Sequence, residues 1–234
     1  MELILVRHAQ PDWVSPDGRN RNDPGLTALG HAQAALVARR LADTEDAPGR
    51  GDVDHLYASH AARAQQTAAP IAEALDLPID TREDLVELRS PDHWDGVAIE
   101  VVRDAFESMR AADREAWRSG FPGGEDFTTF HARVTGAIDG LLGEHGIVPA
   151  DEPGLWVVPD GAPDRIVVVA HGGTNSTLVA HLLGVPSEPW EWLRFTMGHA
   201  SVAVLATDPI AGANLWSLRA LGDANHLPLD QRTA

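Results

Sequence analysis

Arg7 and His8 close a short aliphatic run, Leu3-Ile4-Leu5-Val6. A guanidinium can hold a phosphate through paired N–H donors. An imidazole, with an ordinary pKa of about 6.5, is largely neutral at pH 7 and can attack one. Two further segments carry the same side chains in comparable places. Ser59-His60-Ala61-Ala62-Arg63 follows a second apolar run, and His171-Gly172-Gly173 follows a third, Ile166-Val167-Val168-Val169-Ala170. Two arginines and two histidines around one point would suit a tetrahedral dianion. Taken singly, each has a plainer reading. Arg7-His8 would be a charged strand end facing water, and Arg63 a solvated helix charge. His171-Gly172-Gly173 would be a turn whose glycines supply positive φ. Their joint occurrence at matching points of three strand–helix units favours a site.

The elements that must position these residues alternate. After the first strand comes a polar loop over 10–25. Thr27 is placed to cap a helix carrying Leu29, Ala32, Leu36, Val37 and Leu41 at helical spacing. A loop over 43–51, a strand over 53–58 and a helix over 60–75 follow, with Pro70 expected to kink or split that helix. A third strand lies near 79–85. One amphipathic helix is expected over 97–117 and another over 125–142, the second with Phe127, Phe130, Val134, Ile138 and Leu141 on one face. A loop over 148–164, a buried strand over 165–170, a helix over 174–183 and strands over 202–206 and 215–218 complete the chain. This alternation predicts an α/β fold: a parallel or mostly parallel central sheet with helices on both faces. Parallel strands would bring the three segments to one sheet edge, beside helix N-termini with free N–H groups.

A chain of 234 residues with 44% hydrophobic and 23% charged residues fits a single domain, 1–234, with an insertion. It has no cysteine, which excludes disulfides, thiolate metal sites and a cysteine nucleophile. The formal net charge of −17 argues against nucleic acid and anionic membrane surfaces as partners. Arginines that bind a phosphate here must act locally, within a screening length of about 10 Å. The apolar runs are far shorter than the ~20 residues of a membrane span. Arg7-His8 also interrupts the N-terminal run too early for a secretory signal, so a cytoplasmic location is expected. The 11 histidines form no His-Glu-x-x-His motif, and no Gly-x-x-x-x-Gly-Lys or Gly-x-Gly-x-x-Gly loop is present. No metal and no cofactor are expected.

The combination resembles the histidine phosphatase superfamily, the phosphoglycerate-mutase-like family. It is carried by Arg7-His8-Ala9-Gln10, by Asp23-Pro24-Gly25-Leu26-Thr27-Ala28-Leu29-Gly30, by the segment 59–68, and by Glu87. Trp94-Asp95-Gly96, Gly123-Gly124-Glu125 and Ala170-His171-Gly172-Gly173-Thr174 complete it. The resemblance runs over nearly the whole chain. It implies a Rossmann-like three-layer α/β sandwich with an inserted helical cap, here about 88–130, and a phosphohistidine intermediate formed without a metal ion. It implies that His8 is the nucleophile, that Arg7 and Arg63 clamp the phosphate with Gly172 beside it, and that His171 donates to the phosphoryl oxygens. Glu87 is implied as proton donor to the leaving group, with Glu125 its rival, and His199 as a candidate substrate contact.

The chain departs from the mutase pattern, in which Arg-His-Gly is followed shortly by Trp-Asn. Here Ala9, Gln10 and Pro11 precede Trp13-Val14. With no matching second-site cations in the cap, the reading is a phosphomonoesterase acting on a small phosphorylated metabolite. A phosphoglycerate-mutase-type transfer and a non-catalytic phosphate-binding module are the alternatives, and a homodimer is allowed. His93, Trp94, Phe106, Met109 and Phe121 could shape a pocket, although apolar residues at helical spacing are more often core.

Overall fold

The computed structural model describes residues 1–43 and 52–234. All of the loop expected over 43–51 except Asp43 lies outside the described residues. The order of elements is β1 (Glu2–Arg7), α1 (Ala28–Ala42), β2 (Val53–Ser59), α2 (Ala62–Leu75), β3 (Ile79–Arg82), α3 (Ile99–Arg110), α4 (Arg114–Ser119) and α5 (Phe127–Gly143). Then come β4 (Val148–Pro149), β5 (Trp156–Val157), β6 (Arg165–Ala170), α6 (Gly172–Leu182), α7 (Glu191–Arg194), β7 (Val202–Ile210) and β8 (Ala213–Asp223). One sheet holds all eight strands in the order β3-β2-β6-β1-β7-β8-β5-β4.

Side chains along a strand point alternately to the two faces of its sheet. Leu3, Leu5, Ile166, Val168 and Ala170 accordingly pack on one face with α5 and α6. Ile4, Val6, Val167 and Val169 pack on the other with α1 and α2. The interiors of β1 and β6, residues 3–6 and 166–170, are therefore aliphatic throughout, because both faces are covered. The result is a three-layer α/β/α sandwich. A separate small cluster of Trp94, Ile99 and Val102, with Val14 and Phe121 against it, gives the segment carrying α3 its own apolar centre. Among the described residues no helix is long and apolar enough to cross a membrane.

The expectation of a mostly parallel sheet needs correction. β3, β2, β6 and β1 pair in parallel, but β1–β7, β7–β8, β8–β5 and β5–β4 are antiparallel. The cause is local. Ala211 and Gly212 both take positive φ, 52° and 80°, the backbone of a tight two-residue hairpin, which can join only antiparallel strands. The helix expected over 97–117 is two helices, because the Asp113 carboxylate caps a fresh start by accepting from Ala116 N. α2 runs unbroken through Pro70. The proline removes one helical hydrogen bond, while Arg63, Ala64, Thr67, Ala68 and Ile71 hold the buried face. Residues 148–164, expected as loop, contribute the two short strands β4 and β5. Thr27 caps α1 as expected, accepting from Gly30 N at 2.9 Å.

The described packing makes β1 the centre of the molecule. Leu5→Ala should cost roughly 2–5 kcal/mol, as buried leucine truncations do, read as a lowered urea midpoint. A loss below about 1 kcal/mol would contradict the burial of this strand.

Candidate active site

The parallel half of the sheet brings its strand ends to one edge. β1 and β6 are in register with Arg7 opposite Ala170, and His8 N extends the ladder by donating to the Ala170 carbonyl at 2.8 Å. His8 and His171 thus leave adjacent strands side by side, with ring centroids 5.1 Å apart, edge to face. β2 delivers Ser59 and then the first turn of α2, where Arg63 lies on the buried face. Ala200, at φ +54°, donates to the carbonyls of both Arg7 and His8 and fixes the end of β1 from the antiparallel side.

His8 Nδ1 lies 2.8 Å from the Ala9 carbonyl oxygen. A carbonyl only accepts, so Nδ1 carries the proton and Nε2 keeps its lone pair. Burial, then the nearby guanidinium of Arg63, hold His8 well below the usual imidazole pKa. The ring is therefore neutral at pH 7. His171 is shifted down in the same way by burial and Arg63. Its Nε2 meets Ser59 Oγ at 2.9 Å, and among the described residues its Nδ1 has no hydrogen-bond partner. Arg7 Nε and Arg63 Nε are likewise buried without partners. Three unanswered nitrogens on the four gathered residues are what a polyvalent anion would satisfy.

The two arginines are anchored from behind. Arg7 donates to the Met197 carbonyl and to His199 Nε2 at 3.2 Å. His199 must accept there, so its Nδ1 carries the proton and donates to Thr233 Oγ1 at 2.9 Å. Burial, with Arg7 beside it, lowers His199 to about 3. Expected as a substrate contact, His199 has both ring nitrogens engaged behind Arg7. Gln33 reaches Thr233 Oγ1 at 3.0 Å and the Gln10 amide at 2.8 Å. Thr67 accepts from Ala9 N at 3.0 Å and donates to the Arg63 carbonyl at 2.7 Å, tying the loop after His8 to α2. The guanidinium of Arg63 lies 4.8 Å from the centroid of the Trp13 ring and 3.5 Å from Asp23. The sequence reading missed Thr67, Gln33 and Thr233. Gln33 and Thr67 are polar residues on buried helix faces, a signal visible only once those faces are known, and Thr233 is half-buried outside any helix or strand, where no periodicity marks it.

Glu87 stands at the start of α6, accepting from Gly173 N at 2.7 Å and Thr174 N at 3.1 Å. The expected free N–H groups at the helix N-termini are thus partly taken. Glu87 occupies two at α6, and Asp23 accepts from Ala62 N at α2. The glycines serve closeness rather than positive φ, since neither Gly172 nor Gly173 takes it. A Cβ on Gly173 would lie 2.5 Å from Glu87 Oε1 and 2.7 Å from the Trp192 ring; one on Gly172 would press on the Arg7 guanidinium at 3.4 Å. Glu125 does not join the group. Its carboxylate is buried against Arg133, with contacts at 2.9 and 2.6 Å. A cavity of about 450 Å³ opens over the site, lined by Trp13, His60, Arg63, Glu87, Arg89 and Trp192 among others. Among the described residues no three His, Asp or Glu side chains gather as metal ligands.

The family model described as the histidine phosphatase superfamily (branch 1) matches residues 3–216. The chain is 31% identical over 211 residues to phosphoserine phosphatase 1 of Hydrogenobacter thermophilus, covering 88% of this chain and 86% of that protein. It is 27% identical to a probable phosphoglycerate mutase of Yersinia enterocolitica, covering 98% and 96%. Among solved structures, the vanadate complex of a mycobacterial glucosyl-3-phosphoglycerate phosphatase superposes with a TM-score of 0.68 at 26% identity, covering 95% of this chain and 99% of that one.

Burial holds His8, His171, His199 and His226 neutral in the folded chain, His199 at about 3 and His226 at about 4. The unfolded chain takes up protons on each near pH 6.5, so the stabilisation is complete above that pH and is lost as pH falls toward the folded values. Urea unfolding at pH 7, 6 and 5 should show stability falling, by roughly 1.4 kcal/mol per pH unit for each histidine. His199→Asn should flatten the slope. Stability that holds level or rises on acidification would refute the burial of neutral imidazoles.

Proposed function

Because the chain belongs to the histidine phosphatase superfamily, we propose that it is a metal-independent phosphomonoesterase that hydrolyses a small phosphorylated metabolite through phospho-His8. The observation that carries this reading is the protonation pattern of His8. Nδ1–H is committed to the Ala9 carbonyl, which leaves the Nε2 lone pair as the nucleophile.

In the first half, His8 Nε2 forms a bond to phosphorus as the bond from phosphorus to the ester oxygen breaks. The leaving oxygen takes a proton from the Glu87 carboxyl group. Arg7 and Arg63 hold the equatorial oxygens, and charge is stabilised by groups already in place. By analogy with arginine fingers, a guanidinium so aimed contributes about 10³–10⁵ in rate. With the Ser59 hydroxyl donating to His171 Nε2, the Nδ1–H of His171 is the donor for a phosphoryl oxygen. In the second half, water gives a proton to Glu87 and attacks phosphorus, the N–P bond breaks, and phosphate leaves with His8 neutral again. The segment 88–130 serves as the cap that admits the ester. Proton transfer by a positioned carboxyl group is worth typically 10²–10⁴, most where the leaving alkoxide is poor.

Hydrolysis of p-nitrophenyl phosphate should persist in EDTA. His8→Ala should abolish both turnover and a phosphoenzyme labile to acid but stable to base. Retained hydrolysis in that variant would refute the nucleophile, and ligand binding without turnover in the parent would favour a binding module. Conversion of phosphoglycerate isomers without phosphate release would favour a mutase. Glu87→Gln should slow alkyl phosphates about 100-fold while p-nitrophenyl phosphate, whose leaving group needs little protonation, changes far less. Equal losses would move the proton-donor role to another residue.

A further inference from the structure

A second cavity, of about 510 Å³, lies under the segment 88–130 beside the one over the phosphate site. Its walls include Phe106, Met109, Trp117, Phe127, Phe130 and Trp192. Leu88, Phe106, Phe121 and Trp192 line both cavities, so the two adjoin across these side chains. Gly173 belongs to the wall as well. Its amide holds Glu87, and its missing side chain lets the Trp192 ring pack against the same point. The apolar space therefore starts where a proton would be handed to the leaving oxygen. Of its charged wall residues, Arg110 is exposed and Glu191 is buried with Arg194 3.7 Å away.

We infer that this cavity takes the alcohol part of the substrate, and that the substrates are phosphomonoesters of apolar, aromatic-bearing alcohols. The inference rests on the phosphatase reading above. Two facts direct it. A half-open space of this size lined by aromatic rings gains from excluding water from a flat apolar group. A carboxylate placed there, such as glycerate would bring, would lose hydration beside the buried Glu191 carboxylate, with the cation of the wall, Arg110, on the exposed side. The rim points the same way, since Phe106 and Leu193 are 45% and 61% exposed although large and apolar.

The test compares 2-phenylethyl phosphate, ethyl phosphate and O-phosphoserine in EDTA, three alkyl esters that differ in what fills the cavity. The expected result is a kcat/KM at least tenfold higher for the phenylethyl ester, arising in KM. Met109→Gln, which keeps the volume but adds a polar group, and Trp192→Ala should each reduce that preference at least threefold. Competitive inhibition by inorganic phosphate reports a folded site in both. Equal kcat/KM for all three esters, a preference for phosphoserine, or a preference that neither variant alters would overturn the inference while leaving the phosphatase reading intact. Failure of the parent to hydrolyse any ester or form a phosphohistidine would overturn both.

Discussion

Two guanidinium groups drawn largely out of water at the edge of one sheet set the terms for the rest of this molecule. Arg63 keeps only 5% of its side-chain exposure, and its carboxylate neighbour Asp23 is 58% exposed and 3.5 Å away. Removing a cation from water is costly unless it is paired and hydrogen-bonded. Burial accordingly lowers both arginines from the ordinary guanidinium value, with Glu87 the main opposing influence on each. The chain as a whole is strongly acidic, yet among the described residues the carboxylate paired with these two groups is the exposed Asp23, on Arg63. They remain available to an anion that arrives from outside.

That arrangement dictates the state of the neighbouring rings. Burial first, and second the repulsion of an imidazolium by the guanidinium beside it, hold His8, His171 and His199 below their usual range. A neutral ring is what a nucleophile needs and also what a positioning residue needs if it is to accept from an arginine, as His199 does. The chain of contacts from Arg7 through His199 and Thr233 to Gln33 ends on α1, and Gln33 in turn holds the backbone just past His8. The cation and the ring beside it are thus positioned by one connected set of bonds.

The meeting of Arg7, His8, Arg63 and His171 at one sheet edge was legible in the sequence because the elements that carry them have strong periodic signatures. Fully aliphatic runs ending in Arg7-His8 and His171, and a helix start holding Arg63, follow from burial on both faces of parallel strands. Of the antiparallel half, β7 and β8 were legible as strands over 202–206 and 215–218, but not their direction. Its hairpin turns on Ala211-Gly212, without the Asn-Gly or Asp-Gly pair that usually marks such a turn, and β4 and β5 are two residues each. Gly172 and Gly173 could be read as turn residues, but the need for them is set by side chains from distant segments, Arg7, Glu87 and Trp192. Such contacts between remote segments leave no local pattern in the chain.

The two carboxylates that compete for the proton-donor role show how the fold separates them. Glu125 meets Arg133 with both oxygens and also accepts from Arg89 N. A buried carboxylate so engaged is a poor candidate to trade protons with a substrate, since losing it would strand Arg133 as an unpaired charge. Arg133 uses its remaining donors on the carbonyls of Asp84, Val86 and Glu87. The pair therefore fixes the backbone that presents Glu87, while α6 fixes the Glu87 carboxylate through two amides. One carboxylate holds the strut and the other meets the cavity. Their distance along the sequence conceals this division, and the shared arginine makes it physical.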